Sequence, residues 1–298
     1  MKRYGNVHTL GAPTATLGRC GSRYVAQWKV EQDSARSCLE DARRASTTDA
    51  LIGLLDDPGP MRPRTASIRC TCEAMTRGND FDRYAGSYEA LHAENVAPSG
   101  EPPSYFAEYK KGVLERILGR RFERPLLDFG CGIGTLVALL GQSFREVHGY
   151  DPSRESLKVA RARAPAVRFF EEAAQIPRDH YGGVVLANVL HHLAPAERPG
   201  LLATAASLLG PQGRLIVFEH NPLNPITRRV VAACPFDDGA QLLHPRQLKG
   251  LCRGAGLYDV RLDFIVFFPK ALRLARPLEP KLAWLPLGAQ MCAWGIRQ

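Results

Sequence analysis

The residues best suited to chemistry cluster around three glycines at alternate positions. Gly130, Gly132 and Gly134 follow the acid Asp128, with an apolar run on either side. The pattern predicts a strand, a tight turn and the start of a helix. Glycine permits positive φ and leaves no Cβ in the way of a ligand, and open α/β sheets bind ligands at the carboxyl ends of their strands. We therefore expect a ligand-binding loop at residues 128–134.

The spacing of these glycines bears on which ligand they hold. Dinucleotide-binding folds use G-x-G-x-x-G, with the pyrophosphate on the helix N-terminus. Here the pattern is G-x-G-x-G, and the Asp128 carboxylate would repel a pyrophosphate but suits a ligand that carries an ammonium group. Asp151 follows Gly134 by 17 residues and ends the predicted second strand, where a carboxylate can accept both hydroxyls of a ribose. Because NAD-binding folds share that acid, it predicts a ribose-binding site. It does not distinguish a dinucleotide from a ligand that carries an ammonium group.

Three histidines lie where the predicted fourth and fifth strands end. His191 and His192 follow Asn188 after the fourth strand, and His220 follows Glu219 at the end of the fifth. Because the carboxyl ends of parallel strands meet at one edge of a sheet, we expect these histidines on the same side as the glycine loop. Imidazole has a pKa suited to proton transfer near neutrality, and a general base accelerates reaction of a hydroxyl substrate by about 10²–10⁴-fold. His220 is the first candidate for that base, and the alternative is that each histidine is a hydrogen-bonded structural residue.

Strands and helices alternate along the rest of the pattern. The predicted strands are residues 126–129, 146–150, 167–170, 183–189, 214–219, 257–268 and about 287–296. Most are apolar on both faces, which is typical of parallel sheets covered by helices on both sides. The fold class is therefore predicted to be α/β, a doubly wound and mostly parallel seven-stranded sheet with helices on both faces.

The glycine loop and the acid that follows it resemble the class I S-adenosylmethionine-dependent methyltransferases of the small-molecule, bacterial type. The resemblance covers about residues 81–298 and implies the family's Rossmann-like sheet, with S-adenosylmethionine as the cofactor. In that family, the segment that matches residues 128–134 wraps the methionine part of the cofactor. Asp151, with Pro152 beside it, would hold the ribose.

Two later segments carry the same resemblance. Residues 171–177, Glu-Glu-Ala-Ala-Gln-Ile-Pro, match the family's G-D-A-x-x-L-P segment, with Glu in place of both Gly and Asp. The match implies that Glu172 accepts a hydrogen bond from the adenine amine, with the Ala173 amide nearby. Residues 188–193, Asn-Val-Leu-His-His-Leu, resemble the segment after the fourth strand. That match implies that Asn188 lies beside the cofactor.

The resemblance implies methyl transfer to a small-molecule acceptor. We expect O-methylation of a sugar, polyketide or other natural-product acceptor. One alternative is an NAD-linked Rossmann oxidoreductase, and another is a module that binds S-adenosylmethionine without catalysis. Amino-group DNA methyltransferases of this fold carry two prolines after the fourth strand, where this chain has Val189 and Leu190. Nucleic acid is therefore not the expected partner.

Composition sets broad limits on the protein class. The chain has 298 residues, a net charge of +9 and a pI near 9.3, but its basic residues form no run of five, which favours a composition bias over a nucleic-acid face. No stretch of 18 apolar residues and no signal-peptide core is present, so we expect a cytoplasmic protein without stable membrane insertion. Cys70 and Cys72 lack a second Cys/His pair at zinc spacing, so no metal site is expected. The sequence predicts no oligomeric state.

Three regions are predicted along the chain. Residues 1–74 contain few strongly apolar residues and are expected to be a poorly ordered or dispensable extension. Residues 75–122 are expected to form an N-terminal helical lid segment, and residues 123–298 the methyltransferase domain. Within that domain, residues 269–286 mix basic and apolar side chains with several prolines. Because the prolines would break an interfacial membrane helix, we expect a lid insertion that lines the substrate pocket.

Overall fold

The computed structural model describes Asp82 and residues 84–119 and 121–298. These residues belong to the second of the two units into which the chain divides, Met1–Pro63 and Arg64–Gln298. The extension predicted over residues 1–74 lies outside the described residues, as does the first part of the predicted lid segment.

A seven-stranded sheet forms the centre of the described residues. Its strand order is β3-β2-β1-β4-β5-β7-β6. Neighbours among β1 to β5 are parallel, whereas β7 is antiparallel to both β5 and β6. The strands are β1 (Leu126–Phe129), β2 (Val147–Tyr150), β3 (Arg168–Phe170), β4 (Tyr181–Ala187), β5 (Leu209–His220), β6 (Leu257–Ile265) and β7 (Gln290–Arg297). The predicted doubly wound, mostly parallel seven-stranded sheet is confirmed.

Seven α-helices accompany the sheet in the part of the chain that is described. They are α1 (Tyr88–Val96), α2 (Pro103–Leu118), α3 (Thr135–Leu140), α4 (Arg154–Arg163), α5 (Arg198–Leu208), α6 (Pro225–Ala233) and α7 (Pro245–Gly254). A 3-10 segment, Lys270–Leu282, occupies most of the predicted insertion at 269–286. Among the described residues, no helix combines the length and apolar character needed to span a bilayer.

Alternate residues of the central strands face two separate apolar cores. On β4, Val184 and Leu186 pack into one core and Val185 packs into the other, as the two-residue period of a strand requires. Helices α5 and α7 contribute to the first core, and α2, α3 and α4 contribute to the second. Both faces of the sheet are therefore covered, and every residue of β1 is buried.

The direction of winding reverses between β1 and β4. From β1 the sheet extends through β2 to β3 on one side, and the chain then returns to place β4 on the other side of β1. At such a switch point, the loops that leave the two strands diverge and open a crevice at the carboxyl edge. The topology therefore brings residues 130–134, after β1, opposite residues 188–193, after β4.

One buried carboxylate fastens the 3-10 segment Lys270–Leu282 to the body of the protein. Glu279 accepts hydrogen bonds from the backbone amides of Phe267 at 3.2 Å and Phe268 at 3.0 Å. It also accepts one from the hydroxyl of Tyr109 on α2. The segment is thus anchored to α2, and its role as a lid stays a prediction.

The structure departs from the predicted boundaries at β5 and at α6. Strand β5 begins at Leu209 rather than at residue 214, because Leu209 also pairs with β4, at Tyr181, across a register shift. Helix α6 is absent from the predicted elements. Asn224 caps it, since its side-chain oxygen accepts hydrogen bonds from the amides of Ile226 and Thr227. The Asn-Pro pair at this position is a recognisable helix start, so the signal was present in the sequence.

Leu157 on α4 provides a test of the second core. It is fully buried, so Leu157→Ala is expected to lower the free energy of unfolding by about 2–5 kcal/mol, because the lost side chain leaves a cavity. The matched control is Leu274→Ala, since Leu274 is 91% exposed and its truncation should change stability by less than about 0.5 kcal/mol. Urea denaturation measures both values. Equal losses at the two positions would contradict this account of the core.

Candidate active site

A cavity of about 590 Å³ lies at the carboxyl edge of the sheet, between β1 and β4. The ends of β1, β2, β4 and β5 supply one side, and residues of α1, α2 and the turn after α6 supply the other. The cavity brings together most of the residues predicted to form the site, namely Asp128, Gly130, Gly132, Asp151, Pro152, Asn188, His191, His192 and His220. Its volume suits a small-molecule ligand.

The three glycines of the loop all adopt positive φ, but for different reasons. A Cβ at Gly130 (φ 88°) would lie 2.7 Å from Cγ2 of Val189, and one at Gly134 (φ 76°) would lie 2.8 Å from Cβ of Ala160. A Cβ at Gly132 (φ 51°) would meet no atom within 4 Å. Gly130 and Gly134 therefore permit close packing of the loop, whereas Gly132 leaves open space beside the cavity.

Asp151 ties the glycine loop to the start of α4. Its Oδ2 accepts a hydrogen bond from the Gly132 amide at 2.8 Å, and its Oδ1 accepts one from the Ser153 amide at 2.9 Å. Burial raises the pKa of Asp151 to about 6, although both of these hydrogen bonds act in the opposite direction. The carboxylate is thus fixed in orientation at the wall of the cavity.

Two buried oxygen atoms at the cavity lack partners. Asp128 is 1% exposed, and neither its Oδ1 nor the Oδ1 of Asn188 has a hydrogen-bond partner among the described residues. Burial raises the pKa of Asp128 to about 7; Asp151 adds to the shift, and Lys110 opposes it. Because both oxygen atoms belong to residues that line the cavity, they can accept hydrogen bonds from a ligand.

His191 lies between two carboxylates. Its Nδ1 is 2.6 Å from Oε2 of Glu219, and its Nε2 is 3.4 Å from Oδ1 of Asp237. Glu219 also accepts a hydrogen bond from the Leu190 amide at 2.7 Å through its Oε1. Burial lowers the pKa of His191, but the two carboxylates outweigh it and raise that pKa to about 9. The ring is therefore held firmly, with one nitrogen committed to Glu219.

The other two predicted histidines have lowered pKa values. Burial, followed by the positive charge of His191, lowers the pKa of His192 to about 4 and that of His220 to about 3. The ring centroid of His191 lies 4.0 Å from that of His192 and 5.0 Å from that of His220. Both rings are neutral near pH 7 and can accept a proton, although a low pKa makes each of them a weak base.

Lys110 and Asp237 belong to the cavity but were missed in the sequence. Lys110 is a buried cation on α2, and burial lowers its pKa to about 8 while nearby carboxylates oppose the shift. Its spacing from Ala107 and Leu114 places it on the buried face of the helix, which is a signal that the sequence does contain. Asp237 lies in a 3-10 turn after α6, and no motif points to it.

Three of the predicted site residues do not line the cavity. Gly134 packs against α4 instead. Glu172 is exposed and immediately precedes a 3-10 turn that begins at Ala173, after β3. This position is at the carboxyl edge of the sheet, so a contact of Glu172 and Ala173 with adenine stays a prediction.

Comparison with known proteins identifies the family. A sequence profile described as a methyltransferase domain matches residues 104–262, which are 159 of the 298 residues and include the glycine loop and strands β1 to β5. The chain belongs to this methyltransferase family. The prediction of a class I methyltransferase with S-adenosylmethionine as its cofactor is thereby confirmed at the level of the family.

Relatives of this methyltransferase share part of its length. An uncharacterized methyltransferase of Bacillus cytotoxicus is 28% identical over 142 residues, which cover 46% of this chain and 63% of the relative. An uncharacterized methyltransferase of Bacillus mycoides is 28% identical over 143 residues, with the same coverage. The chain therefore spans about 63% of the length of these curated relatives.

Solved structures resemble this methyltransferase at lower sequence identity. A methyltransferase from Archaeoglobus fulgidus superposes with a TM-score of 0.51 at 19% identity, covering 64% of this chain and 94% of that one. A possible histamine N-methyltransferase from Thermotoga maritima gives a TM-score of 0.55 at 16% identity, covering 74% of this chain and 99% of that one. These likenesses confirm the fold.

The chemistry of the cavity fits S-adenosylmethionine. The unpartnered Oδ1 atoms of Asp128 and Asn188 need hydrogen-bond donors, and the methionine part of the cofactor carries an ammonium group. Gly132 leaves room for that part of the molecule beside the loop. Asp151 offers a carboxylate at the wall, of the kind that accepts hydrogen bonds from ribose hydroxyls.

The raised pKa of Asp128 predicts a pH-dependent stability difference. Its pKa is raised from 3.8 to about 7, so folding takes up a proton between these values and the contribution of Asp128 to stability falls as the pH rises through that window. Asp128→Asn removes this penalty, so its stability relative to the native chain should increase from about pH 5 to about pH 7. Urea denaturation at several pH values measures the difference. The control, Glu155→Gln at an exposed position on α4, should show no such trend, and a flat profile for Asp128→Asn would contradict the burial argument.

Proposed function

We propose that this protein transfers a methyl group from S-adenosylmethionine to a small-molecule acceptor, most simply to an oxygen atom. The observation that carries the proposal is the division of one cavity into two chemically different parts. Acidic and amide oxygens surround the glycine loop, while three histidines follow β4 and β5 and Lys110 projects from the middle of α2. The first part suits the cofactor, and the second suits an acceptor that must lose a proton.

The glycine-loop side has the groups needed to orient the cofactor. Asp128 and Asn188 bind the ammonium group of the methionine moiety, and Asp151 binds the ribose. Glu172 and Ala173 extend the site toward the adenine along the edge of the sheet. When bound, S-adenosylmethionine supplies a methyl group on a sulfonium, and the protein contributes alignment with the acceptor.

The contacts and pKa values of the three histidines rank them as candidates for the proton acceptor. His191 is already committed to Glu219 through Nδ1, so it is a poor choice for moving a proton during the reaction. His220 and His192 are neutral because burial lowers their pKa values, and each lines the cavity. His220 stays the first candidate, and its low pKa indicates that the acceptor must itself be acidified by nearby positive charge. Lys110 is a cation at this cavity.

Aromatic rings on the lid side favour an acceptor with an apolar, ring-shaped part. Tyr88 and His92 of α1, Phe106 of α2 and Phe236 line the cavity. The Tyr88 and Phe236 ring centroids are 4.9 Å apart, and the other rings adjoin them. A hydroxylated ring, such as that of a sugar or a polyketide, combines the apolar faces and the polar atom that these surroundings accommodate.

Ligand binding tests the cofactor part of the proposal. Calorimetric titration is expected to show binding of S-adenosylhomocysteine and no binding of NAD. Gly132→Val should abolish binding of S-adenosylhomocysteine. The valine side chain would enter the space beside the loop, at a backbone conformation that valine disfavours. Gly112→Val is the matched control, since Gly112 is exposed on α2 and a Cβ there meets nothing within 4 Å. Binding of NAD instead would contradict the proposal and favour an oxidoreductase.

Methyl transfer itself is tested with isotope-labelled S-adenosylmethionine and a bacterial metabolite extract. The expected product carries one labelled methyl group on oxygen, and mass spectrometry identifies the acceptor. Binding of S-adenosylhomocysteine without a labelled product across broad acceptor panels would contradict catalysis and favour a non-catalytic binding module. A product methylated on nitrogen would contradict the assignment to oxygen.

With an acceptor in hand, His220 can be tested directly. His220→Ala is expected to lower kcat by about 10²–10⁴-fold, the usual contribution of a general base, with little change in affinity for S-adenosylhomocysteine. The control is His180→Ala, at an exposed position outside the cavity lining. An unchanged kcat for His220→Ala would remove His220 as the base.

A further inference from the structure

We propose that His191, His192 and Asp237 bind a divalent transition-metal ion at the acceptor side of the cavity. The suggested role of the ion, to bind and acidify an acceptor oxygen, rests on the proposed function, whereas the site itself rests on geometry. All three residues line the cavity. The proposal departs from the sequence-based expectation of no metal site.

The ligand atoms already lie close to the arrangement that one ion requires. One atom from each residue lies within 4.8 Å of the atoms of the other two. Oδ1 of Asp237 is 3.4 Å from Nε2 of His191 and 3.6 Å from Nε2 of His192. Ligands bound to zinc at about 2.0–2.2 Å are separated from one another by roughly 3–4 Å, so small rotations of these side chains would complete the site.

Glu219 gives His191 the support that metal-binding histidines usually have. Such a histidine donates its other ring N–H to a carboxylate, which fixes the ring and its tautomer. Here Nδ1 of His191 lies 2.6 Å from Oε2 of Glu219. Its Nε2 is buried and has no hydrogen-bond partner among the described residues. This nitrogen faces Oδ1 of Asp237 at 3.4 Å, so a cation held between the two atoms would have both of them as ligands.

The backbone holds the two contributing segments against each other. His191 and His192 belong to the turn after β4, and Asp237 belongs to the turn after α6. The Gln241 amide donates a hydrogen bond to the His191 carbonyl at 2.8 Å, and Arg198 donates to the Gln241 carbonyl at 2.7 Å. The three side chains are therefore placed before any ion binds, so little ordering is needed on binding.

The donor set selects the kind of metal. Two imidazoles and one carboxylate suit zinc, cobalt, iron(II) or nickel, whereas magnesium and calcium prefer oxygen ligands. Three protein ligands leave at least one coordination position open. Because all three residues line the cavity, that open position would face the cavity. An acceptor hydroxyl bound at that position would have a lowered pKa. His220 lines the same cavity and could then accept its proton.

Metal binding is measured on the full chain without cofactor or acceptor. The protein is stripped with a chelator, dialysed and titrated with Co²⁺ and Zn²⁺, in a background in which Cys70 and Cys72 are replaced by Ser. One ion per chain is expected, with the visible absorption of Co²⁺ bound to imidazole nitrogen. His180→Asn, at an exposed histidine, is the matched control and should bind like the parent.

Variants then locate the ion. Asp237→Asn and His192→Asn should each weaken Co²⁺ binding by at least about tenfold, and Glu219→Gln should weaken it by about 10–100-fold through its effect on His191. Titration with S-adenosylhomocysteine shows that each variant is folded. Absence of Co²⁺ and Zn²⁺ binding in the parent would overturn the proposal. It would mean that a protonated His191, and no metal ion, bridges Glu219 and Asp237. Equal affinity in Asp237→Asn, His192→Asn and the parent would overturn it as well.

The proposed function and the metal site can fail separately. Co²⁺ binding that depends on Asp237, without methyl transfer to any acceptor, would support the site and contradict the proposed function. Methyl transfer that continues in a parent protein unable to bind Co²⁺ or Zn²⁺ would support the function and overturn the site.

Discussion

Burial of the sheet on both faces is the constraint on which the rest of the structure depends. Helices cover β1 to β5 from both sides, so polar side chains can face a cavity only where the strands end. The reversal of winding between β1 and β4 then opens one such place at the carboxyl edge. Asp128, Asp151, His191 and His220 come from four different strand ends and meet there for this reason alone.

That convergence concentrates ionisable groups where water is scarce. Glu219 and Asp128 are buried carboxylates, and Lys110 and His191 are buried cations. Glu219 is neutralised by a short contact with His191, so its pKa falls below the usual range even though burial alone would raise it. Asp128 has no comparable contact, and its pKa rises. The two buried acids differ because Glu219 has a direct cationic partner in His191, whereas the positive charge of Lys110 only partly offsets the burial of Asp128.

The sequence predicted what is encoded locally. The acid, the alternate glycines and the second acid each lie within one strand and the turn that follows it, so the loop, Asp151 and the alternation of strands and helices could be predicted from short patterns. Asp237 could not be found in this way, because it meets His191 only through the packing of two turns more than 40 residues apart. Lys110 was visible as a charge on the buried face of a helix. Its significance depends on the carboxylates that the fold brings opposite it.

The same distinction separates the glycine-loop side of the cavity from the histidine side. The glycine-loop side is made by the ends of β1 and β2 and the turns that follow them, so short patterns in the sequence could predict it. The histidine side combines the ends of β4 and β5 with α1, α2 and the turn after α6, which are elements that only folding brings together. Asp237 lies where the histidines meet the aromatic rings, because it approaches His191 and His192 while its neighbour Phe236 packs against Tyr88 of α1. The turn after α6 therefore contacts both the histidines and the aromatic rings, and it is the element that links these two parts of the cavity wall.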